Sequence, residues 1–283
     1  MVKNEIPQIL LNDGNSIPQI GVGALRIPDD EVAKAIEEAI DVGYRQIDGA
    51  AGYFNEKGVG LGLKNIFENS DTTRDDLWIT SKVRDSFQGY DKTMECFDQT
   101  LRDLGVDYLD MYMIHWPVPE KDLYLETWKA FERLKKDGRV KTIGVCNFLK
   151  PYLQRLLDNC EIKPAVNQLE IHPSFQQKDD VQFTRNQNVA VQAYSPMARA
   201  LDLESQTVIK IAKEIGKTPA QVILRWHIQQ NNIIIPKSVH KSRLIENINI
   251  FDFELSEEQM DLIYQLDNPD GSMGHDPNIY SYS

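Results

Sequence analysis

Short apolar runs alternate with longer amphipathic segments along almost the whole chain. The first run, Gln19 to Val22, precedes a segment from Asp29 in which Val32, Ile36 and Ile40 recur at helical spacing. A short apolar run between turn signals is typical of a buried strand, and recurrence every three to four residues is typical of an amphipathic helix. The pattern therefore predicts a repeating strand–helix unit.

Seven further units follow the first. Their apolar runs are Arg45 to Ile47, Leu77 to Thr80, Leu109 to Ile114, Val140 to Val145, Ala165 to Leu169, Val189 to Ala193 and Ile233 to Ile235. The predicted helices lie near Glu56 to Phe67, Lys92 to Leu104, Leu123 to Lys136, after Pro151, and at Asp179 to Asn186, Ser205 to Ile215, Pro219 to Gln230, Lys241 to Asn249 and Ser256 to Leu266. Eight such units favour a parallel sheet that closes into a (β/α)8 TIM barrel. No linker interrupts them, so we predict a single domain over residues 1–283.

Both ends of the chain add smaller features. Asp13-Gly14 stands between Gln8 to Leu11 and Ser16 to Pro18, which predicts an N-terminal β-hairpin plug. A polar tail from Asp267 predicts a C-terminal loop.

An open doubly wound sheet is the alternative fold. It requires a glycine-rich turn directly after its first strand. Gly58, Gly60 and Gly62 have the wrong spacing for that turn and lie inside the second predicted helix. We therefore assign these glycines to helix packing.

The composition disfavours several kinds of partner. Hydrophobic residues make up 41% and charged residues 26% of the 283 residues, as is ordinary for a globular protein. A net charge of -12 disfavours sequence-independent binding to nucleic acid, which depends on clustered Lys and Arg. No apolar run approaches the ~20 residues of a membrane span. The N-terminus has charges and a proline where a signal peptide has its apolar core, so we expect a cytoplasmic protein with neither a nucleic-acid nor a membrane partner.

Cysteine and histidine are too scattered for a metal centre. The cysteines are Cys96, Cys146 and Cys160. The histidines away from the predicted strand ends are His172, His227, His240 and His275. Neither set has the spacing of a zinc site or a disulfide framework, so we expect reduced thiols and no metal.

Polar residues stand at the ends of the predicted strands. In a barrel of this type the carboxyl ends of the strands form one mouth, where catalytic residues gather. The first four of these polar residues are separated by 32 to 34 residues, one strand–helix unit each. The set is Asp48, Lys82, His115, Asn147, Gln168, Tyr194 and Lys237. We expect these side chains to face a common cavity.

The first of these residues suggest a proton-donating site. Lys82, held by Asp48, would stabilise the phenolate of Tyr53 and make that phenol a usable acid near neutral pH. His115 would hydrogen-bond a carbonyl oxygen and orient it. Protonation of an oxygen without a metal suits carbonyl reduction, which needs a hydride source.

The motifs around these residues resemble those of the aldo-keto reductases over essentially the whole chain. GYRQIDGAAGYFNE is similar to the family segment with the catalytic Asp and Tyr, here Asp48 and Tyr53. LWITSK resembles the strand with the catalytic Lys, here Lys82, and LDMYMIHWP the one with the catalytic His, here His115. The tail and helices are most similar to microbial reductases of diketogluconate and small dicarbonyls. The resemblance implies the TIM barrel and an enzyme that reduces a small-molecule carbonyl substrate.

The resemblance also implies a cofactor site for NADPH/NADP+. Asn147 and Gln168 would bind the nicotinamide carboxamide, and Tyr194 would stack on its ring with Ser195 beside it. The segment IPKSVHKSRLIENINIFDFEL is similar to the family segment at the adenosine end. It would contribute Lys237, Ser238 and Arg243 to the 2′-phosphate, and Glu246 and Asn247 to the adenine. Two cations and a hydroxyl at a helix start suit a phosphate.

The substrate pocket departs from the family pattern. Leu25 stands where the family usually has an aromatic residue, and Arg84 follows the catalytic lysine at a position where the family often has Trp. Phe54 and Trp116 remain as aromatic walls. Arg84 either favours anionic or hydroxyl-rich carbonyl compounds or points to solvent. Cys146 replaces a common Ser beside Asn147, and a thiol is the weaker hydrogen-bond donor.

Two other functions are compatible with this barrel. An NADPH-binding sensor or regulatory subunit would bind the cofactor with little turnover. A Schiff-base aldolase would use Lys82 or Lys237 as its nucleophile. The full set of proton-donor residues favours the reductase, and we expect a monomer.

Overall fold

The structure is a computed structural model that describes residues 6–280. Its strands are β1 (Gln8–Leu10), β2 (Ser16–Pro18), β3 (Val22–Gly23), β4 (Gln46–Asp48), β5 (Trp78–Val83), β6 (Leu109–Ile114), β7 (Val140–Cys146), β8 (Val166–Glu170), β9 (Ala190–Tyr194) and β10 (Ile233–Ile234). Its α-helices are α1 (Asp29–Val42), α2 (Glu56–Asn69), α3 (Tyr90–Leu104), α4 (Tyr124–Lys136), α5 (Lys150–Leu157), α6 (Lys178–Asn186), α7 (Gln206–Ile215), α8 (Pro219–Gln229), α9 (Lys241–Ile248) and α10 (Glu257–Tyr264).

The strands β3 to β10 form a parallel sheet in chain order. The sheet closes on itself because the chain just before β3 bonds to β10. The Gly21 amide donates to the carbonyl oxygen of Ile234 at 2.8 Å, and the Ile234 amide donates to that of Gln19 at 2.9 Å. This closure confirms the predicted (β/α)8 barrel.

The N-terminal hairpin covers one end of the barrel, as predicted. β1 and β2 pair antiparallel, with Gln8 opposite Pro18. Ile17 of β2 is fully buried and packs in a cluster with Trp78, Val166 and Ile233, which lie at or near the starts of their strands. The opposite end of the barrel, where the strands finish, is left for the functional site.

The glycines of α2 serve close helix packing, as the sequence predicts. A Cβ atom on Gly58 would lie 2.1 Å from the carbonyl oxygen of Asp29, and one on Gly60 would lie 2.3 Å from that of Asp103. A side chain at either position would collide with the backbone of α1 or α3. Glycine therefore lets the three helices approach one another on the outside of the barrel.

Two strands, β3 and β5, differ from their predicted bounds by more than one residue. β5 runs to Val83 instead of ending at Thr80, so Lys82 lies inside a fully buried strand. β3 is only two residues long because Gln19–Gly21 bonds to Ile234 as an isolated bridge instead of extending the strand ladder. No helix among residues 6–280 has the length and apolar character needed to cross a membrane.

Candidate active site

A cavity of about 780 Å³ opens at the carboxyl ends of the strands. All the predicted site residues except Lys82 line it: Leu25, Asp48, Tyr53, Phe54, Arg84, His115, Trp116, Asn147, Gln168, Tyr194, Ser195, Lys237, Ser238, Arg243, Glu246 and Asn247. Lys82 bonds to two of these residues from within β5. The structure thus brings the whole set together, while the individual roles stay predictions.

A buried ion pair forms the floor of the site. The Lys82 Nζ atom lies 2.6 Å from Asp48 Oδ2, and neither residue is more than 1% exposed. Lys82 also donates to the carbonyl oxygen of Gly49 at 3.0 Å and to the Tyr53 hydroxyl at 3.4 Å. Adjacent parallel strands place the two charges together, because Asp48 ends β4 and Lys82 lies in β5 beside it. The ammonium group is therefore fixed directly beneath the phenol.

Tyr53 reaches the cavity from a short 3₁₀ turn. The turn covers Ala51–Tyr53, and its last amide donates to the carbonyl oxygen of Ala50 at 2.9 Å. The buried Asn55 amide holds the following segment by donating to the carbonyl oxygens of Ala24 and Ile27 at 3.0 and 2.8 Å. The loop around Tyr53 is thus anchored to the neighbouring strand-to-helix connection.

The ionisation of Tyr53 corrects one expectation. Burial raises the pKa of the phenol above its ordinary value, and the positive charge of Lys82 lowers it by less. The expected net decrease is therefore wrong for the free protein, in which Tyr53 is protonated throughout the neutral range. Burial alone would lower the pKa of Lys82, but the charge of Asp48 raises it above its ordinary value. The site holds a neutral phenol above a permanent cation.

His115 completes the polar wall of the site. Burial, followed by the charge of Lys82, lowers its pKa well below the usual value, so the imidazole is neutral. Its ring centroid lies 5.5 Å from that of Tyr53, edge to face. A neutral imidazole can donate one hydrogen bond from its N–H group. The phenol and the imidazole therefore present two donors to the same part of the cavity.

Asn147, Gln168 and Tyr194 form a second polar wall. The Tyr194 hydroxyl donates to Asn147 Oδ1 at 2.9 Å, and the Asn147 amide donates to the carbonyl oxygen of His115 at 3.1 Å. The Gln168 amide donates to Asp48 Oδ1 at 2.9 Å and to Gln192 Oε1 at 3.0 Å. Asn147 has φ of 62°, in the left-handed region that Asn tolerates better than most residues. Of the two amides predicted to bind a carboxamide, Gln168 is thus held by Asp48 of the buried ion pair, and Asn147 is held by Tyr194 and the backbone of His115.

Cationic side chains line the far end of the cavity. Lys237 and Arg243 are exposed, and neither makes an ion pair within the described part of the chain. Ser238, on the same segment, is 6% exposed, and its Oγ atom accepts from the His240 amide at 3.1 Å just before α9. Glu246 lies nearby and accepts from the Thr218 hydroxyl at 2.5 Å. This end of the cavity can bind an anion.

The predicted substrate residues line the same cavity. Leu25 is 42% and Phe54 63% exposed, and both border the opening. The Arg84 guanidinium lies 4.6 Å from the ring centroid of Phe54 and 5.5 Å from that of Phe87. Arg84 therefore lies against aromatic rings on the cavity wall and does not extend into open solvent.

No group of three or more potential metal-ligating side chains occurs in the part of the chain that the structure describes. The site consists of one buried ion pair, a neutral phenol, a neutral imidazole and amides. Such groups can orient an oxygen atom and supply it with a proton.

The sequence matches a known protein family over most of its length. The model of the Aldo/keto reductase family matches residues 18–268. The chain belongs to this family. The family predicted from the motifs is thereby confirmed.

Relatives of this aldo/keto reductase include bacterial proteins with named activities. The chain is 44% identical to the glyoxal reductase of Bacillus subtilis over 95% of this chain and 96% of the relative. It is 41% identical to the methylglyoxal reductase DkgA of Escherichia coli K12 over 96% and 97%. A crystal structure of a mutant of Gox0644 in complex with NADPH superposes with a TM-score of 0.93, at 41% identity, over 99% of this chain and all of that one.

The cavity of this aldo/keto reductase has walls that the sequence did not predict. Asp85 and Ser86 follow Arg84 at the end of β5, and Tyr280 comes from the C-terminal segment. The rings of Trp116 and Tyr280 lie 4.2 Å apart, and His275 stacks on Tyr280 at 4.3 Å. The C-terminal residues carry no periodic pattern, so the sequence does not show that Tyr280 reaches the cavity. Asp85 could have been predicted to line the cavity, because it is a polar residue that directly follows Arg84 in the sequence.

Proposed function

We propose that this aldo/keto reductase reduces an aldehyde or ketone to an alcohol with NADPH as the reductant. The observation that carries the proposal is the convergence of Tyr53 and His115 above the buried pair of Lys82 and Asp48. These groups can protonate a carbonyl oxygen. They lie in the same cavity as a cationic end that suits a phosphate.

The far end of the cavity fits NADPH better than NADH. Lys237 and Arg243 lack carboxylate partners within residues 6–280, so their charges are available to a ligand. A 2′-phosphate would supply the missing anion, with the Ser238 hydroxyl as a further contact. Asn147 and Gln168 would orient the nicotinamide carboxamide, and Tyr194 and Ser195 would line its pocket. The NADPH complex of the relative Gox0644 supports this choice.

The groups of the chain divide the work on the substrate. His115 donates a hydrogen bond to the carbonyl oxygen and orients it, and Tyr53 transfers its proton to that oxygen. Lys82 stabilises the phenolate that remains, and Asp48 keeps the ammonium group in position. Bound NADPH supplies the hydride that the carbonyl carbon requires.

Removal of the phenol hydroxyl tests the proposal. General acid catalysis contributes about 10²- to 10⁴-fold to the rate. Tyr53→Phe should therefore lower kcat by about 10²-fold or more in an assay of NADPH consumption. Methylglyoxal and glyoxal belong in the first substrate panel because of the named relatives. Tyr44→Phe is the matched control, since the buried Tyr44 hydroxyl bonds to the carbonyl oxygen of Leu244 and lies outside the cavity.

NADPH binding provides the second measurement. Tyr53→Phe should bind NADPH as the wild type does, because its ring and the cationic end are unchanged. Reduction at a near-normal rate by Tyr53→Phe would exclude the phenol as the proton donor. A wild-type protein that binds NADPH but reduces no carbonyl compound would instead support the regulatory alternative.

A further inference from the structure

Asp85 is a buried carboxylic acid on the cavity wall, and its side chain has no hydrogen-bonding partner among residues 6–280. It is 4% exposed and begins the 3₁₀ turn Asp85–Phe87, directly after β5 and Arg84. Its Oδ1 atom is shielded from solvent, and its side chain makes no hydrogen bond or ion pair within residues 6–280. The residue lines the same cavity as Tyr53 and His115.

Such a carboxyl group is costly to leave without a donor. Burial of a polar atom without a hydrogen bond is unfavourable, and most buried polar atoms have a partner. Burial raises the pKa of Asp85 to about 7, although the charges of Lys121 and Arg84 act to lower it. The group is therefore partly ionised at neutral pH, and a ligand that donates a hydrogen bond to the carboxyl group would offset this cost.

Another buried carboxyl group shows what a satisfied one looks like in this fold. Burial also raises the pKa of Glu56 to about 7. However, its Oε1 atom accepts from the Ser81 hydroxyl at 2.6 Å, and its Oε2 atom accepts from the Thr100 hydroxyl at 3.1 Å. Glu56 does not line the cavity. Among the carboxylate oxygens of the described residues, only Asp85 Oδ1 is both buried and without a hydrogen bond.

Arg84 does not neutralise its neighbour by an ion pair. Its guanidinium lies over the rings of Phe54 and Phe87, and no contact of 4.0 Å or less joins it to Asp85 within the described residues. The wall therefore offers donors from Arg84 and an acceptor from Asp85 side by side. A hydroxyl group can both accept and donate, so it suits this pair better than a carboxylate or a methyl group does.

We propose that Asp85 is a specificity-determining residue that accepts a hydrogen bond from a hydroxyl group of the substrate. The enzyme then takes hydroxylated aldehydes and ketones in preference to the same compounds without the hydroxyl groups. This inference rests on the proposed carbonyl reduction and adds a hydroxyl subsite to it. A site built to bond a hydroxyl discriminates strongly against an analogue that lacks it, since its polar group is then left unpaired.

The test compares substrate pairs that differ only in hydroxyl groups. We would measure kcat/KM with NADPH for glyceraldehyde against propanal, and for erythrose against butanal. The informative quantity is the ratio of kcat/KM for the hydroxylated aldehyde to kcat/KM for its analogue without hydroxyl groups. This ratio is compared between protein variants, because intrinsic reactivity and aldehyde hydration cancel in that comparison. Asp85→Ala should lower the ratio about 10- to 100-fold, as expected for loss of a hydrogen bond to a charged group. It should leave propanal and butanal within about threefold of the wild type.

Two further variants make the test specific. Asp85→Asn keeps the shape and one acceptor oxygen, so it should lower the ratio by only about 3- to 10-fold. It also guards against a folding defect in Asp85→Ala. Glu56→Gln is the matched control, a buried carboxyl group outside the cavity, and should leave the ratio unchanged.

The pH dependence of the ratio provides a separate readout. An ionised carboxylate is the stronger acceptor, so the wild-type ratio should rise as the pH increases through about 7, where Asp85 ionises. Arg84 and Lys121 are the charged groups that act on Asp85, and His115 and His275 are the imidazoles that share its cavity. Asp85→Asn retains all four groups and should show a flat ratio.

The possible results separate the subsite from the function. If the wild type consumes no NADPH with any of these aldehydes, the proposed reduction fails and the subsite fails with it. If it reduces all of them and the Asp85 variants keep the wild-type ratio, only the subsite is wrong. A uniform loss on all four aldehydes would also overturn it, since Asp85 would then support the fold or a water molecule.

Discussion

Lys82 shows how one residue can constrain both the fold and the candidate site. Its ammonium group is fully buried and bonds to oxygens of Asp48, Gly49 and Tyr53. Taking two opposite charges out of water is costly, and only close contact and additional hydrogen bonds offset the cost. The pair is therefore weak support for stability but a strong constraint on geometry. A cation held this way stays beneath the phenol.

The cost of breaking this pair can be measured. Lys82→Met removes the cation while keeping a long apolar side chain, and it leaves the Asp48 carboxylate buried with the Gln168 amide as its remaining side-chain donor. We expect a loss of roughly 3–5 kcal/mol in the free energy of unfolding, measured with urea. The double variant with Asp48→Asn removes the unpaired charge and should recover most of that loss. A double variant less stable than Lys82→Met would show that the charge is not the cause.

The sequence predicts which residues gather at the site when their positions are determined by the ends of strands. Asp48, Lys82 and His115 were found because successive parallel strands end at one mouth. Two properties needed the folded chain. The pKa of Tyr53 depends on the balance between burial and the charge of Lys82, and burial is larger. Tyr280 reaches Trp116 only because the tail crosses the opening.

At the scale of elements, one residue fastens the C-terminal segment to the barrel. Glu170, the last residue of β8, accepts from the Ser272 hydroxyl at 2.9 Å and from the amides of Met273 and Gly274 at 2.8 and 3.0 Å. His172 lies between Glu170 and Asp202, with Nε2 at 3.5 Å from Glu170 and Nδ1 at 3.2 Å from Asp202. This histidine thus connects two segments that border the cavity.

These contacts predict a pH-dependent stability. Burial alone would lower the pKa of His172, but the carboxylates of Asp202 and Glu170, at 3.2 and 3.5 Å, raise it above its ordinary value. Its contribution is therefore complete below about pH 6.5 and is lost as the pH rises through the higher pKa of the folded state. Burial alone would raise the pKa values of the Glu170 and Asp202 carboxyl groups. The hydrogen bonds that these groups accept outweigh burial, so both pKa values lie below the ordinary value. Their contribution is present above about pH 4 and is lost in stronger acid.

His172→Asn isolates this effect. The difference in unfolding free energy between wild type and His172→Asn should be largest near pH 6, and a hydrogen bond to a charged group is worth about 1.5–3 kcal/mol. The difference should become smaller toward pH 9 as the wild-type imidazole loses its proton. Urea unfolding at several pH values measures it, with hydrogen exchange at Met273 and Gly274 as the local readout. A difference that is constant from pH 6 to 9 would mean that His172 acts by packing alone.

The order of elements was predictable, but some of their boundaries were not. Alternating apolar and amphipathic segments predicted all eight barrel strands, because strands buried on both faces have continuous apolar runs. β5 extends past its predicted end because Ser81 and Lys82, although polar, are paired inside the barrel wall. A polar residue in a sequence does not reveal that its partner lies in a neighbouring strand, as for Lys82, or in a helix, as for Ser81.

At the scale of the whole molecule, the surface charge and the cavity charge oppose each other. The chain has a net charge of -12, while Arg26, Arg84, Arg199, Lys237 and Arg243 all line the cavity. A local cationic cleft can attract an anionic ligand even on an acidic protein, since field lines concentrate there. The overall charge disfavours sequence-independent binding to nucleic acid but carries no information about this cleft.

Barrel closure should make the whole chain unfold as one unit. The segment before β3 pairs with β10 through Ile20 and Ile234, so the first and last strands of the barrel depend on each other. We therefore propose the single domain predicted from the sequence, and we expect one cooperative transition in urea. Far-ultraviolet circular dichroism and tryptophan fluorescence should give coincident curves. The tryptophans report on separate regions: Trp78 beneath the hairpin, Trp116 at the cavity, Trp128 in α4 and Trp226 in α8.

A variant at the closure makes this prediction stricter. Ile20 is fully buried, and Ile20→Ala should cost about 2–5 kcal/mol. If the barrel is one unit, both signals shift to lower urea by the same amount. Ile245→Ala is the matched control, because that side chain is 51% exposed on α9 and its loss should change stability by about 0.5 kcal/mol or less. Two separated transitions in the wild type, or a shift of only one signal in Ile20→Ala, would divide the chain into independent units and refute the single domain.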